Sequence, residues 1–277
     1  MEPGIYRDLS NENYHAGPGI SKSGISLILD SPQKFKARYI DGLKAETTPA
    51  MVIGSATHTA VFEPHLFDAE YAVCPKCDKR TKIGKEVYEQ FCASAGSKTI
   101  ITEDDLTKIS AIRDAVRNHP KAGPLVSDEQ NEIENSIFCT DEETGLLVKV
   151  RPDCIQEHRE IIIDLKTTTN SSYGAFSKAC FDLTYYIQAG MYLSVARQHG
   201  LNVTNFVFVV VEKEPPYAIG IYWADKRMIE LGYDEFCRGM KIYAECLSSG
   251  VWPGYNNDQV VEISLPKWAD HQISLRE

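Results

Sequence analysis

An α/β fold is what this sequence predicts, and three observations predict it. Short runs rich in β-branched and aromatic residues, at about 132–139, 146–155, 160–167, Phe206 to Val211 and Ala218 to Trp223, read as strands. Segments of helical period lie before, between and after them. Their order, helices and then a three-strand meander, helix, strands and a long helix, is that of a layered α/β domain. With 277 residues, 43% of them hydrophobic, the chain can bury a substantial core, and a single domain over 1–277 is expected.

Ser23 to Tyr39 reads as a helix behind a serine cap, and Pro49 to Phe62 as a second, stopped by Pro64. Residues 74–85 form a polar loop and Lys85 to Ser94 a short helix. Asp104 to Asn118 is amphipathic, with Leu106, Ile109, Ile112 and Val116 inward, and His119-Pro120 ends it. After the meander, the stretch from Thr184 to Leu193 reads as a helix, and Met228 to Cys246 closes the chain's helical part.

The chemistry concentrates in the meander. Folded about His158-Arg159, the chain sets Asp153 opposite Asp164 on neighbouring antiparallel strands, their Cβ atoms about 5 Å apart. Two carboxylates so placed repel unless a cation or a shared proton intervenes, and a divalent metal is the simplest resolution. Because side chains alternate along a strand, Lys166 emerges on the face of Asp164 while Leu165 points into the core. Two acids and an ammonium therefore converge.

Pro152-Asp153 followed by Asp164-Leu165-Lys166 resembles the PD-(D/E)xK nuclease motif, in which the acids hold magnesium and the lysine serves the attacking water. Three further segments extend the likeness. Gln188 and Tyr192, four apart, share one face of their helix beside an apolar stripe of Ile187, Met191 and Val195, and a Q-x-x-x-Y helix after the acid-x-lysine strand is similar to the RecB-type and RecE-type branches. Gly54 to Glu63 resembles the G-x-x-x-H-x-x-x-x-E segment of those branches, which makes His58 a metal ligand; the other histidines, His15, His65, His119, His158, His199 and His271, lie near predicted turns or ends. Glu134 resembles the acid that precedes the PD strand in RecE-like nucleases. Glu132 shares its face by the two-residue period, and an edge strand with a solvated acidic face is the alternative.

Ile20-Ser21-Lys22-Ser23, Ser31-Pro32 and Trp252-Pro253-Gly254-Tyr255 also fit, so the resemblance runs from about Ile20 to Tyr255 and leaves 256–277 as a C-terminal tail. The group most similar is the RecE-like, or exodeoxyribonuclease VIII, nuclease domain of the RecB-type branch of the PD-(D/E)xK superfamily. The resemblance implies a restriction-endonuclease-like core, a mixed central sheet flanked by helices, and a Mg²⁺-dependent exonuclease, with Mn²⁺ able to substitute. It would degrade one strand of double-stranded DNA from a 5′ end and leave a 3′ overhang for a single-strand annealing partner in phage or prophage recombination. It further implies a ring-shaped homo-oligomer. Carried onto this chain, His58, Asp153, Asp164 and the backbone carbonyl of Leu165 hold the metal, Lys166 orients or deprotonates the water, Glu134 assists, and Gln188 and Tyr192 hold the strand or support the site.

A net charge of -10 argues against a protein that coats nucleic acid nonspecifically, but local basic runs offer two candidate backbone tracks: Lys34, Lys36, Arg38 and Lys44, and Lys76, Lys79, Arg80, Lys82 and Lys85. The eight cysteines read as thiols of a cytoplasmic protein. Cys74 and Cys77 could be half of a zinc site, within the chain or shared between subunits, but no second pair appears, and Cys237 and Cys246 are too sparse for an iron-sulfur cluster. No run approaches the ~20 apolar residues needed to cross a bilayer, the start Met1-Glu2-Pro3-Gly4 lacks the pattern of a signal peptide, and no repeat is visible. Rival readings are an endonuclease or CRISPR-associated nuclease, a noncatalytic DNA-binding protein on the same fold, and a glycosidase with Asp153 and Asp164 as its acid pair, which insensitivity to EDTA would reveal.

Overall fold

The run Ile161–Thr168 lies in the middle of a five-stranded sheet, where an apolar strand of that length can be covered on both faces. The computed structural model describes residues 1–43, 46–78 and 80–266. In chain order the first half comprises β1 (Gly4–Tyr6), α1 (Asn11–Ala16), α2 (Lys22–Asp30), α3 (Pro32–Phe35), α4 (Pro49–Phe62), α5 (Phe67–Glu70), β2 (Tyr71–Cys74), α6 (Lys82–Ala95), β3 (Thr99–Thr102), α7 (Glu103–Asn118) and α8 (Ala122–Val126). The second half comprises β4 (Glu132–Ile133), β5 (Ser136–Thr140), β6 (Leu147–Val150), β7 (Cys154–Gln156), β8 (Ile161–Thr168), α9 (Tyr173–Asp182), α10 (Tyr185–Gln198), β9 (Asn205–Glu212), β10 (Ile219–Trp223) and α11 (Lys226–Ser249).

The large sheet has the order β10-β9-β8-β7-β4, with β8 and β9 parallel and the other pairs antiparallel, so the mixed sheet expected from sequence is present. One face, through Ile162, Phe206, Phe208 and Val210, packs on Ile187, Met191 and Val195 of α10 and on Phe236 and Met240 of α11. The other, through Ile163, Leu165, Val207 and Val209, packs on Val61 and Phe62 of α4 and Ile112 and Val116 of α7. Helices α10 and α11 cross backbone to backbone: a Cβ at Gly190 would lie 2.2 Å from the Tyr233 nitrogen, and only glycine leaves that room. This seats α10 firmly on the sheet.

Three differences from the sequence reading have local causes. The helix expected over Ser23 to Tyr39 breaks at Ser31, which is extended (φ -166°, ψ 120°) because the following Pro32 disfavours the helical region, and a π-helical turn follows at Lys36–Ile40. The first two strands of the expected meander are each split, β4 from β5 and β6 from β7, so that β5 and β6 join β1 in a separate three-stranded sheet. Pro152 has no N–H for a ladder, and Glu134 is left-handed (φ 52°), yet Glu132 still faces Ile155 and Ile137 still faces Val150, so one register spans the break. The 74–85 loop is shorter than expected, since α6 begins at Lys82 behind a Thr81 cap. The parallel pair β2 and β3, the N-terminal β1 and α1, and α9 were not anticipated.

Candidate active site

The split ribbon brings the acids together. Ile133 faces Cys154 and Cys154 faces Ile163, so the next positions in register, Glu134, Asp153 and Asp164, form a row across three strands. The Glu134 N–H donates to the Asp153 carbonyl at 3.2 Å. Beyond Cys154 the ladder partner of β8 is gone, and the Leu165 N–H instead donates to Asp153 Oδ2 at 2.7 Å. Asp153 thereby replaces a missing strand while the Leu165 side chain is fully buried in the core.

Helices on both faces complete the row. From α4, His58 Nδ1 lies 3.1 Å from Asp153 Oδ2. One ligand atom from each of His58, Glu134 and Asp153 falls within 4.8 Å of the others. From α10, the Gln188 amide donates to Asp164 Oδ2, and its carbonyl oxygen accepts from Lys166 Nζ at 3.1 Å. Lys166 also abuts Asp164 Oδ1 and lies 4.6 Å from the centre of the Tyr185 ring. Tyr192, one turn after Gln188, is 8% exposed with its ring 6.3 Å from Phe206, and thus underlies the acids rather than lining the open surface. All the residues singled out from sequence, His58, Glu134, Asp153, Asp164, Leu165, Lys166, Gln188 and Tyr192, therefore meet in one place.

Glu132 does not share that place. It bonds to Arg7 at 3.2 Å and Asn135 at 2.6 Å, because the left-handed turn at Glu134 ends the strand alternation that put the two acids on one face. Arg151 and Tyr185 were missed. Arg151 Nε donates to Glu134 Oε2 at 2.6 Å while its Nη1 donates to the Leu9 carbonyl at 2.9 Å, tying the acid to the N-terminal segment. Its place two residues before Asp153, hence on the same strand face, was the available signal.

Burial and mutual repulsion set the protonation of the cluster. Burial first, then Asp153, pushes Glu134 up to about 7, with Arg151 opposing. Burial also lifts Asp164 to about 6, against the pull of Lys166. Asp153 is held below the usual carboxylate range although burial opposes it, because His58, Lys166 and the Leu165 N–H favour its anion. Burial likewise works against charge on His58, yet Asp153 raises it to about 9. Lys166 is raised by Asp164 and Asp153 in spite of its burial. The donors fit a divalent cation: two carboxylates and an imidazole meet, and Asp164 Oδ1 is buried with no aligned hydrogen bond even though the Lys166 ammonium touches it. Hard oxygens with one imidazole suit Mg²⁺ or Mn²⁺.

The site opens into a cavity of about 840 Å³ that includes His58, Glu134, Arg151, Thr167, Gly54 and Ser55. Elsewhere, the basic runs are largely neutralised: Lys34 pairs with Asp30, Lys36 with Asp41, Lys76 with Asp104, Arg80 with Asp78 and Lys82 with Glu86. Lys44, Lys79 and His271 lie outside the described residues. Cys74 and Cys77 belong to no group of metal-binding side chains among the described residues. The Trp252 ring stacks 5.7 Å from Phe35, and the Pro253 carbonyl accepts from the Gln33 N–H at 3.1 Å, so the two outlying segments of the resemblance pack together. No helix among the described residues is long and apolar enough to cross a membrane.

Comparison with known proteins bears on the fold and the family. A crystal structure of a candidate exonuclease from Eubacterium rectale superposes with a TM-score of 0.60 over 94% of this chain and 96% of that one, at 13% identity, a likeness of fold alone. A second structure, of SSO0001, covers 78% of this chain and 85% of that one at 13% identity, but its TM-score of 0.28 carries no argument. No curated protein matches the chain. The family model described as a PDDEXK-like domain of unknown function (DUF3799) matches residues 21–261, most of the chain, which therefore belongs to that family and through it to the PD-(D/E)xK nuclease superfamily.

Proposed function

We propose that this protein is a divalent-metal-dependent deoxyribonuclease, an exonuclease of the RecE-like kind that digests one strand of linear duplex DNA from its 5′ end. The observation that carries the reading is the convergence, at one sheet end, of Asp153, Asp164 and Lys166 with His58 and Gln188 from helices on opposite faces. His58, Asp153, Asp164 and the Leu165 carbonyl would hold Mg²⁺, with Mn²⁺ able to replace it. Bound there, the ion would polarise the scissile phosphate and lower the pKa of a coordinated water.

The chain's own groups do the rest. Lys166, kept charged by its two acidic neighbours, donates to the attacking water and to the negative charge that builds on phosphorus, which favours orientation and stabilisation over proton abstraction. Gln188 fixes Lys166 and Asp164 in mutual register through its two amide atoms. Arg151 aims Glu134 at the same point, and Tyr192 supports the acids from below. The water oxygen joins phosphorus, the bond to the 3′ oxygen breaks, and the products carry a 5′-phosphate and a 3′-hydroxyl. The same reading extends to a cytoplasmic protein, one domain over 1–277, that forms a ring-shaped homo-oligomer and hands its 3′ overhang to an annealing partner.

The test is digestion, with Mg²⁺, of linear duplexes blocked at either the 5′ or the 3′ ends, and of a closed circle. Loss of cleavage only with 5′ blocks, and an intact circle, is the expected result. A nicked or linearised circle would replace the exonuclease reading by an endonuclease. Inertness toward all of them would favour a DNA-binding protein without turnover.

A further inference from the structure

Lys22 is costly where it stands. It is the first residue of α2, at the end of a helix where backbone N–H groups already carry positive charge, and that first turn contains no acid. It is half-buried, and among the described residues no carboxylate pairs with it. Its ammonium donates once, to the Leu183 carbonyl at 2.7 Å, which leaves two of three N–H bonds unspent. Burial and then Lys166 push it down to about 8, with only Asp164 working the other way.

Its surroundings hold it in place. Ser26, one turn along α2, meets the hydroxyl of Thr184 at 2.8 Å, so α2 grips the α9–α10 connection at two points. That connection delivers Tyr185, and the two ammonium groups flank its one ring, Lys22 at 5.5 Å and Lys166 at 4.6 Å from the centroid. Of the two cations on this phenol, Lys166 is already answered by Asp164, whereas Lys22 has no carboxylate and two unspent donors, so it is Lys22 that draws further anions. Consecutive phosphates of one DNA strand are such anions, and groups of this kind track a backbone without reading sequence.

We propose that Lys22 binds the phosphodiester next to the one cleaved at Lys166, so that the digested strand crosses the edge of Tyr185 between the two lysines. The proposal rests on the nuclease reading and deepens it, since it gives a strand-positioning role to Lys22, which lies outside the acid-x-lysine signature.

A duplex with a single uncharged methylphosphonate linkage, walked one position at a time along the digested strand, tests this with the wild type, K22M and K22R. Cleavage is measured with Mg²⁺ and equilibrium binding with Ca²⁺. K22M should weaken binding about tenfold to a hundredfold, the loss of one charged hydrogen bond, and K22R should recover most of it. At one linkage position the neutral substrate should cost the wild type as much, yet cost K22M nothing further. The melting temperature of K22M should equal or exceed that of the wild type. Losses that multiply at every position, or a K22M protein that melts lower and is not rescued by K22R, would overturn the proposal. Wild-type protein that binds but never cleaves would sink the nuclease reading alone, because the binding cycle still judges Lys22.

Discussion

Two groups of charges behave in opposite ways in this molecule. The basic runs beginning at Lys34 and Lys76 are exposed and sit beside acids that neutralise them, as with Lys34 and Asp30 or Arg80 and Asp78. The acidic row Glu134, Asp153 and Asp164 is buried or nearly so, is crowded by its own register, and is only partly answered by Lys166, Arg151 and His58. Water screens the first group at little cost, whereas the second must find a cation or keep its protons. A cluster of charge thus points to function when burial leaves it unsatisfied, and the number of charges in a run says much less.

Replacing a member of the buried row should have the largest effect. Asp164→Asn is expected to lower metal-dependent cleavage of linear duplex about a thousandfold or more, as befits loss of a group proposed to hold the ion, while thermal melting shows the fold retained or stabilised. Near-normal digestion by that variant would break the contrast.

The next effect is on stability without metal. Asp164 and Glu134, raised to about 6 and about 7, keep protons in the fold that the unfolded chain gives up near the ordinary carboxyl value, so stability falls as pH climbs from there to 7. His58, raised to about 9, contributes stabilisation that is complete below its ordinary value and gone once pH passes about 9. All three slope the same way, and the metal-free melting temperature should drop between pH 5 and pH 8, below the range in which Lys22, lowered to about 8, works the other way. If His58 and Asp164 hold the cation as proposed, they must lose protons to do so, and Mn²⁺ should raise the melting temperature more at pH 8 than at pH 6. A flat or rising metal-free profile would show that the row is not strained. The smallest effect is expected from Lys36→Ala or Arg80→Ala, which should leave duplex affinity and cleavage within about twofold of wild type in gel-shift and nuclease assays.

Much of the site was legible because turns and alternation act locally. Placing the turn at His158-Arg159 was enough to oppose Asp153 to Asp164, and the two-residue period then put Lys166 beside Asp164. His58 and Gln188 were legible only through resemblance, since their approach depends on how α4 and α10 pack on opposite sheet faces. Glu134 could not be separated from Glu132 by period, because a left-handed backbone at one residue decides between them. Ser31-Pro32 was seen but read through, although the proline's restriction on its predecessor ends α2 there. Strands β2 and β3 are four residues each and sustain one another only by pairing across α6, which no local pattern reports.

Two turns that contain none of these groups govern where Asp153, Asp164 and Lys166 point. Asp141 closes on Leu146 by a 2.9 Å backbone bond with Gly145 left-handed, and Glu160 is left-handed where the second turn enters β8. One residue more or fewer in either would swing the following strand by a face, turning its acid toward the core and an aliphatic neighbour toward the site. The catalytic apparatus should therefore tolerate changes of residue type in those loops far better than changes of their length.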